Sequence, residues 1–377
     1  MTRARPEIGE EPRIKRDERG SMFLRDHWYA AGFSDEVGRS LLDRKFLGED
    51  VLLYRREDGA PVALENRCAH RRLPLSLGRL VGNAVECGYH GLVYDATGAC
   101  IKVPGQSVVP DVRLRTYPVV ERHRYLWIWM GDPARADPNL IPDFSRLDSL
   151  DVSLTRIELK PECHIQLVID NLLDLSHLAY VHSTTTGNAA VAEDAIVKTE
   201  IHGDVVQVKR WIRNVEPAPT FVQFGGYNGR VNLWQVSEFR APSYIRVSYG
   251  SAPVGSPMPE GDDIWTKGDW GFQVFHGLTP ETERTTHQFR HVAHDRGIGD
   301  PQATAEFHRQ CDQIIREDLA IFAVQQRTLD AEANGGSPST VNARLATHAD
   351  GGLLQARRIN ERLARAVGAA KGDGPVG

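Results

Sequence analysis

Asp170-Asn-Leu-Leu-Asp-Leu-Ser-His-Leu-Ala-Tyr-Val-His182 sets two histidines and two acids among Leu, Ala and Val. Leu and Ala are good helix formers and neither Gly nor Pro interrupts the run, so we predict a helix here. On that helix Asp170, Asp174 and His177 share one stripe, whereas His182 lies roughly 140° away. Both imidazoles can face one ion only where the helix tightens, bulges or ends between them. The run indicates either a buried metal site that still needs a carboxylate, or a core helix whose histidines bond to backbone oxygens.

A second helix could supply that carboxylate. A long helix is predicted from about Thr304 to Asn334, and Asp318 lies in it among apolar residues at 314, 315, 321 and 322. Glu317 lies about 100° from Asp318, so the two acids cannot both face one ion well, and only Asp318 shares the core side. Asp318 is either a solvated surface acid or, with His177 and His182, part of a 2-His-1-carboxylate iron site that leaves positions open for O₂ and water.

The first third of the chain, from Phe23 to about Asp132, has the residue pattern of short β-strands joined by turns. Val51–Tyr54 and Pro61–Leu64 flank the turn signal Asp58-Gly59, so we predict a hairpin. Tyr125–Trp129 is predicted to be another strand. The region is therefore expected to be a small all-β module.

Inside this module lie Cys68-Ala-His70 and, sixteen residues later, Cys87-Gly-Tyr-His90. Two thiolates and two imidazoles could bind one zinc ion. They could equally hold a Rieske [2Fe–2S] cluster, with two cysteines on one iron and two histidines on the other. Each half has one Cys and one His followed by a basic, Pro- or Gly-bearing loop, which favours the cluster over zinc and over four unrelated residues.

Composition narrows the class of protein. The chain has 377 residues, 41% of them hydrophobic, which is enough for two domains with their own cores. A net charge of −5 argues against a nucleic-acid partner, and no apolar run approaches the roughly 20 residues of a membrane span. The charged segment Thr2–Gly20 is expected to be a mobile tail. Five cysteines, an odd number, fit a reducing cytoplasm better than a secreted disulfide framework.

The Pro- and Asp-rich stretch from Asp132 to Pro161 is predicted to be a linker, followed by a larger α+β region. Strands are predicted at 205–208, 244–249 and 271–276, and one short amphipathic helix after Gly351. The predicted segments are a disordered tail over 1–20, a metal-binding β-domain over 21–135, a catalytic α+β domain over 136–365 and a flexible tail over 366–377.

Two motifs, Cys68-x-His70…Cys87-x-x-His90 and Asn171-x-x-Asp174-x-x-His177-x-x-x-x-His182, together resemble those of the Rieske non-haem iron oxygenases. The resemblance runs from about Phe23 to Asn334 and looks closest to α-subunits of the vanillate and dicamba demethylase group. Residues 124–142 and 276–282 are also similar to that group. The resemblance implies an α+β protein with an N-terminal all-β Rieske [2Fe–2S] domain and a C-terminal helix-on-antiparallel-sheet domain of the helix-grip, START-like type.

The same resemblance assigns roles to residues. It implies two ligand sets: Cys68, His70, Cys87 and His90 for the [2Fe–2S] cluster, and His177, His182 and Asp318 for mononuclear Fe(II). Asp174 becomes the catalytic bridging acid that bonds a Rieske histidine of the neighbouring subunit, with His90 as the favoured partner. This implies a head-to-tail homotrimer, because in this family the two metals of one chain lie too far apart for fast transfer. It also implies O₂ as co-substrate and a reductase with flavin and a second iron–sulfur cluster, fed by NAD(P)H.

Substrate contacts have weaker signals. By resemblance His276 matches a position that touches substrate in the dicamba enzyme; the alternative is a strand-end histidine bonded to its own loop. Arg309 suits a substrate carboxylate or sulfonate, unless it is an ordinary solvated helix arginine, and here the dicamba enzyme has an aromatic residue. Asn228, Asn232 and Gln235 fall in a region that lines the pocket in relatives, and the sequence does not choose among them.

The resemblance implies a monooxygenase, the terminal oxygenase component that uses O₂ and reductase-delivered electrons to hydroxylate an aromatic acid. O-demethylation of a methoxy group, giving a phenol and formaldehyde, is the main expectation. Ring or aliphatic hydroxylation and N-demethylation by the same machinery stay open. A Rieske electron carrier with a non-catalytic C-terminal domain, or a zinc-binding interaction module, would belong to other classes, and metal analysis separates them.

Overall fold

A computed structural model describes residues 23–260, 264–265, 267–334 and 347–372, with side chains through 366. The tail predicted over 1–20 falls outside these residues. In the described part, the N-terminal half consists of short strands in three antiparallel sheets, ordered β1-β10-β9, β2-β3-β4 and β5-β6-β7-β8. These strands are β1 (Trp28–Phe33), β2 (Leu42–Phe46), β3 (Glu49–Arg55), β4 (Pro61–Glu65), β5 (Arg79–Val81), β6 (Ala84–Glu86), β7 (Val93–Tyr94), β8 (Cys100–Lys102), β9 (Val119–Arg122) and β10 (Tyr125–Trp129).

The predicted hairpin and the predicted strand at 125–129 are confirmed as β3–β4 and β10. Strand β3 is buried on both faces because it lies between two cores. Val51 and Leu53 face a core shared with β1 and β10, while Leu52 and Tyr54 face a core that includes the two motif cysteines. Because successive side chains of a β-strand point to opposite faces, β3 links the two cysteine-bearing loops to the rest of the N-terminal half.

A seven-stranded antiparallel sheet forms the C-terminal half, in the order β11-β17-β16-β15-β14-β13-β12. Its strands are β11 (Ser153–Leu159), β12 (Ile196–His202), β13 (Val205–Val215), β14 (Val231–Arg240), β15 (Tyr244–Pro253), β16 (Trp270–Thr282) and β17 (Thr285–His294). The three predicted strands are confirmed as parts of β13, β15 and β16. The linker prediction over 132–161 was wrong in part, because β11 lies within it and pairs with β17 along the sheet edge.

Six α-helices accompany this sheet in the described residues. They are α1 (Ile165–Leu173), α2 (Leu178–Val181), α3 (Ala189–Glu193), α4 (Pro219–Gly225), α5 (Pro301–Ala333) and α6 (Gly351–Gly372). The predicted long helix is confirmed as α5. Asp300 caps it by accepting hydrogen bonds from two backbone amides, and Pro301 occupies its first position. Its buried residues recur every three or four positions, so one face lies in the core: Phe307, Cys311, Ile315, Asp318 and Phe322.

The run 170–182 is not the single helix that was predicted. Helix α1 ends before Asp174, a 3₁₀ turn spans Leu175–His177, and α2 follows. Asp174 has an extended backbone, and its carboxylate accepts a hydrogen bond from the amide two residues on, so it caps the turn instead of continuing the helix. The predicted stripe of Asp170, Asp174 and His177 was therefore wrong. Asp170 lies in α1 and forms an ion pair with Arg357 of α6.

The two halves meet where β1 crosses β16. Thr279 Oγ1 donates to Ala30 O over 2.7 Å, and the Tyr125 hydroxyl donates to Phe275 O over 3.1 Å. At Gly277 a Cβ atom would lie 2.5 Å from the Cβ of Ala30, so glycine is what permits this approach. Buried hydrogen bonds and close strand contact therefore fix the seam between the halves.

Helix α6 continues to Gly372. The predicted flexible tail over 366–377 is thus helical as far as 372, and 373–377 lie outside the described residues. No helix described here has the combination of length and apolar character that crossing a membrane requires.

Candidate functional site

His177, His182 and Asp318 come together where the broken helix faces α5. One ligand atom from each side chain lies within 4.8 Å of the other two. Asp318 Oδ1 is 3.2 Å from His182 Nε2 and 3.7 Å from His177 Nε2. Two imidazole nitrogens and one carboxylate oxygen form a donor set that a first-row divalent metal accepts.

The helix break lets both imidazoles point at Asp318. His177 ends the 3₁₀ turn, and His182 is the first residue after α2. His177 Nδ1 donates to the backbone oxygen of Asp174 over 2.6 Å, and His182 Nδ1 donates to Glu317 Oε2 over 2.7 Å. Each ring is held by Nδ1 and presents Nε2 to Asp318, which is how supporting hydrogen bonds orient metal-binding histidines.

Glu317 was predicted to lie off the core side, and it is not among the buried residues of α5, yet its side chain still contacts the cluster. The rotation of about 100° between neighbouring helix positions does keep Glu317 away from Nε2 of His182. Its longer side chain instead reaches Nδ1 on the opposite edge of the same ring. The two adjacent acids thus bond opposite nitrogens of one imidazole, a contact that helix geometry alone did not reveal.

The charges around this cluster suit a bound cation. Burial, opposed in part by the Asp318 charge, lowers the pKa of His177, so its ring is neutral at pH 7. Burial also disfavours charge on His182, but the hydrogen bonds and charges of Asp318 and Glu317 outweigh it and raise the pKa of this histidine. Asn171 Nδ2 donates to Asp318 Oδ1 over 3.2 Å, while its own buried Oδ1 has no hydrogen-bond partner among the residues described. The acids therefore favour positive charge where a metal ion would lie.

The second constellation sits on two loops with similar backbones. Cys68 N donates to Leu73 O, and Cys87 N donates to Leu92 O, over 2.9 and 2.8 Å. The fourth residue after each cysteine, Arg72 or Gly91, adopts a positive φ of 60° or 71°. The loops present the two cysteine–histidine pairs from matching positions.

The thiols of Cys68 and Cys87 are buried, while the imidazoles of His70 and His90 are exposed, with ring centroids 4.6 Å apart. Burial raises the pKa of Cys87, and the adjacent Cys68 thiol adds to the effect against opposing backbone amides. The Tyr94 hydroxyl lies 3.3 Å from Cys68 Sγ. Two buried sulfur ligands, two outer imidazoles and a hydroxyl bonded to sulfur match what a Rieske cluster needs.

A cavity runs from the His177–His182–Asp318 cluster to the sheet. The sheet wall of this cavity carries Tyr249, Phe272, His276 and Arg290, and the helix wall includes Ile314. Its free volume is about 40 Å³, well below the roughly 150 Å³ of a cavity that accepts benzene. An aromatic ligand therefore enters only when lining side chains move.

His276 lies in the cavity wall, buried, rather than bonding to its own loop. Gln288 Nε2 donates to its Nδ1 over 3.0 Å. Burial, followed by the charge of Arg290, holds the pKa of His276 well below its usual range. The neutral ring therefore carries its proton on Nε2, where it can donate a hydrogen bond to a ligand.

Arg309 does not line the cavity, and it has the position of the solvated helix arginine that the sequence left open as the alternative. Its side chain is 66% exposed and donates to Glu306 on the same helix. The reason is angular: nine residues separate Arg309 from Asp318, which places them roughly 180° apart around α5. Of the other polar candidates, Asn228 is exposed, and Asn232 and Gln235 are buried in β14 without lining this cavity.

Asp174 is held by a partner that the sequence did not suggest. Arg210 Nη2, from β13, donates to Asp174 Oδ1 over 2.9 Å, and the Ser176 amide donates to the same oxygen. Both bonds use Oδ1. Oδ2 therefore stays available on a carboxylate whose side chain is 23% exposed.

Comparison with known proteins matches both halves of the chain. Residues 27–118 match the Rieske [2Fe–2S] domain, and residues 161–366 match the vanillate O-demethylase oxygenase C-terminal domain. The iron–sulfur subunit of the toluene-4-sulfonate monooxygenase system of Comamonas testosteroni is 36% identical over 92% of this chain and 98% of that subunit. The oxygenase component of dicamba O-demethylase from Stenotrophomonas maltophilia is 34% identical over 85% and 93%. A crystal structure of dicamba monooxygenase with non-heme iron and dicamba superposes with a TM-score of 0.77, at 29% identity, over 92% of this chain and 99% of that one.

Proposed function

Because this chain belongs to the Rieske non-haem iron oxygenases, with a C-terminal domain of the vanillate O-demethylase type, we propose that it demethylates a methoxylated aromatic acid. It is an oxygenase component that works with a Rieske [2Fe–2S] cluster, a mononuclear non-haem iron and electrons from a reductase. The observation that carries the proposal is the His177–His182–Asp318 cluster, which opens onto a cavity lined by aromatic rings.

We assign His177, His182 and Asp318 to the mononuclear iron. Three arguments support this: the donor set is that of a facial triad, both imidazoles present Nε2, and the surrounding acids favour a cation. We assign Cys68, His70, Cys87 and His90 to the Rieske cluster, supported by the paired loops and the exposed imidazoles.

An iron ion held by His177, His182 and Asp318 would supply O₂ activation, and a cluster held by the two cysteine–histidine pairs would supply the electrons. In the balanced reaction, a methoxyarene, O₂, two electrons and two protons give a phenol, formaldehyde and water. The protein's own residues position the substrate. The rings of Tyr249 and Phe272 are stacked, with centroids 4.4 Å apart, and form an aromatic wall against which a substrate ring can pack. His276 Nε2–H can donate a hydrogen bond to the substrate. Leu172, Val247 and other apolar lining residues exclude water from the site.

Assembly and location are part of the proposal. We propose a head-to-tail homotrimer in which Asp174 of one subunit bonds His90 of the next. Exposed apolar side chains beside the cluster ligands, such as Leu77 and Tyr89, support burial of this face. Free cysteines throughout the chain support a cytoplasmic location, and we place the domain boundary near residue 135, between the two matched segments.

The test is anaerobic purification followed by iron, zinc and sulfide analysis and EPR of the dithionite-reduced protein. About three irons and two sulfides per chain, with a Rieske-type EPR signal, are expected. Reductase-coupled O₂ uptake that releases formaldehyde from methoxylated aromatic acids would then establish demethylation. Two irons with no third would remove the oxygenase assignment, and zinc without sulfide would contradict both metal assignments.

Glu317→Gln is expected to weaken iron binding by about 10- to 100-fold, the usual effect of removing a group that orients a metal-binding histidine. The amide keeps the shape of Glu317 but loses the charge that holds the His182 ring. Competition with a chelator measures the affinity. Glu306→Gln on the exposed side of the same helix should leave it unchanged, and an unaltered affinity in Glu317→Gln would refute the orienting role.

Tyr94→Phe is expected to lower the reduction potential of the cluster by about 40 mV. The hydroxyl bonds Cys68 Sγ and stabilises the more negative, reduced cluster, and one hydrogen bond contributes about 1 kcal/mol. Spectroscopic redox titration measures the shift. Tyr54→Phe, in the same core but bonded to a backbone oxygen, is the control and should not move the potential. An equal potential in Tyr94→Phe and the unchanged protein would contradict this role.

A second candidate is hydroxylation of a methyl carbon on the ring, favoured by the 36% identity with a toluene-4-sulfonate monooxygenase subunit. It uses the same cavity and the same metals. The products separate the two candidates, because methyl hydroxylation yields a benzylic alcohol and no formaldehyde.

A further inference from the structure

Arg290 is a buried cation without an acidic partner. It lies on β17 and is 6% exposed. Its Nη1 donates to Cys311 O over 3.1 Å, and its buried Nε has no hydrogen-bond partner within the described part of the chain. Among the residues that the structure describes, no carboxylate forms an ion pair with it. A buried charge in this state is costly unless something else neutralises it.

The other buried arginines in the described part of the chain show the contrast. Each of them pairs with at least one carboxylate: Arg25 with Glu49, Arg44 with Glu36 and Glu158, and Arg210 with Asp174. Only Arg290 among these four lines the cavity of the His177–His182–Asp318 cluster. The missing anion is therefore expected to come from outside the chain and to bind in this cavity.

We propose that Arg290 binds the anionic substituent, a carboxylate or a sulfonate, of the aromatic substrate. Arg290 and His276 are directly opposed residues of β17 and β16, so their side chains leave the same face of the sheet. The guanidinium and the Nε2–H of His276 form a pair of donors for one oxyanion. Tyr249 and Phe272, on the same wall, lie beside the ring of such a ligand. Arg290 thus selects anionic over neutral aromatics.

The inference deepens the proposed function and rests on it for the identity of the site, but it is tested by binding. Calorimetry on the full chain with its iron and sulfide uses two matched pairs: toluene-4-sulfonate with toluene-4-sulfonamide, and vanillate with vanillamide. We expect one anion or both to bind at least about 100-fold more tightly than the neutral partner, as a charge-assisted pair permits. The pair that shows the preference tells sulfonate from carboxylate.

Arg290→Gln should abolish this preference and leave the affinity for the neutral ligand unchanged, which also shows that the variant is folded. Arg290→Lys keeps the positive charge but lacks the planar guanidinium that can donate two hydrogen bonds to one oxyanion, so its anion affinity should fall about tenfold. This variant tests the role of Arg290 if Arg290→Gln does not fold. Arg309→Gln, which removes an exposed arginine of α5, should behave as the unchanged protein.

The inference is overturned if neither anion binds more tightly than its neutral partner. It is also overturned if Arg290→Gln retains the preference, or if Arg290→Lys binds the anions as tightly as the unchanged protein. Failure of the proposed function looks different: the anions would bind with the expected preference, but no O₂ uptake or product would follow.

Discussion

Changing Asp318 to alanine is expected to remove the mononuclear iron while the Rieske cluster stays in place. Asp318 Oδ1 lies between Nε2 of His177 and Nε2 of His182, at 3.7 and 3.2 Å. Removing the carboxylate leaves the metal with two neutral nitrogen ligands and no anionic one. Mutating a group that only orients a metal ligand lowers metal affinity or activity by about 10- to 100-fold. Loss of the ligand itself should therefore lower O₂-dependent turnover by more than about 100-fold. Iron should fall from about three to about two per chain, with sulfide unchanged at about two.

Asp312→Ala is the matched control. Asp312 lies on the same helix, but its carboxylate pairs with Arg316 and does not line the cavity. This variant should keep the third iron and its turnover. Retention of the third iron and of activity in Asp318→Ala would mean that the metal lies elsewhere and that our ligand assignment is wrong.

The sequence predicted those parts of the molecule that depend on local pattern. The hairpin of β3 and β4 follows from alternating apolar residues around Asp58-Gly59, and α5 follows from its periodicity and its cap. The motif spacing and the family resemblance together named the residues that the structure brings into the two clusters. The fold class followed from the same features.

Other parts of the site depend on tertiary contacts that no local pattern encodes. The break at Asp174 arises because its side chain caps the next turn, a choice that competes with the helix propensity of the leucines around it. Glu317 and His182 are 135 positions apart in the sequence, and only the fold brings their side chains into contact. Arg290 and His276 become neighbours through strand register, which period-2 alternation does not fix between strands.

Helix geometry alone could have shown that Arg309 and Asp318 do not face the same side of α5. Arg309 and Asp318 are nine positions apart, an offset that turns them to opposite sides of α5. The structure instead places a buried arginine on the sheet wall of the cavity. A charged residue inside an otherwise buried strand is therefore the feature of the sequence that leads to this wall of the cavity.

Asp174→Asn is expected to leave both metals bound and to reduce turnover by about 100-fold. The bonds from Arg210 and the Ser176 amide use Oδ1, which leaves Oδ2 for an imidazole N–H of the neighbouring subunit in the proposed trimer. Asparagine can keep the Oδ1 bonds, but its Nδ2 is a donor and cannot accept that N–H. Losing a charge-assisted hydrogen bond of up to about 3 kcal/mol corresponds to a rate factor of about 100 if this bond carries the electron-transfer path.

Iron, sulfide and the EPR signal of the reduced cluster should match the unchanged protein, while reoxidation of the reduced cluster by O₂ in the presence of substrate should slow in step with turnover. Asp170→Asn provides the same substitution on the preceding helix, at an acid that pairs with Arg357 inside one chain. It should lower the melting temperature yet keep turnover per iron close to that of the unchanged protein. If Asp174→Asn turns over normally, Asp174 only caps the 3₁₀ turn that orients His177, and the path between the metals runs through other groups.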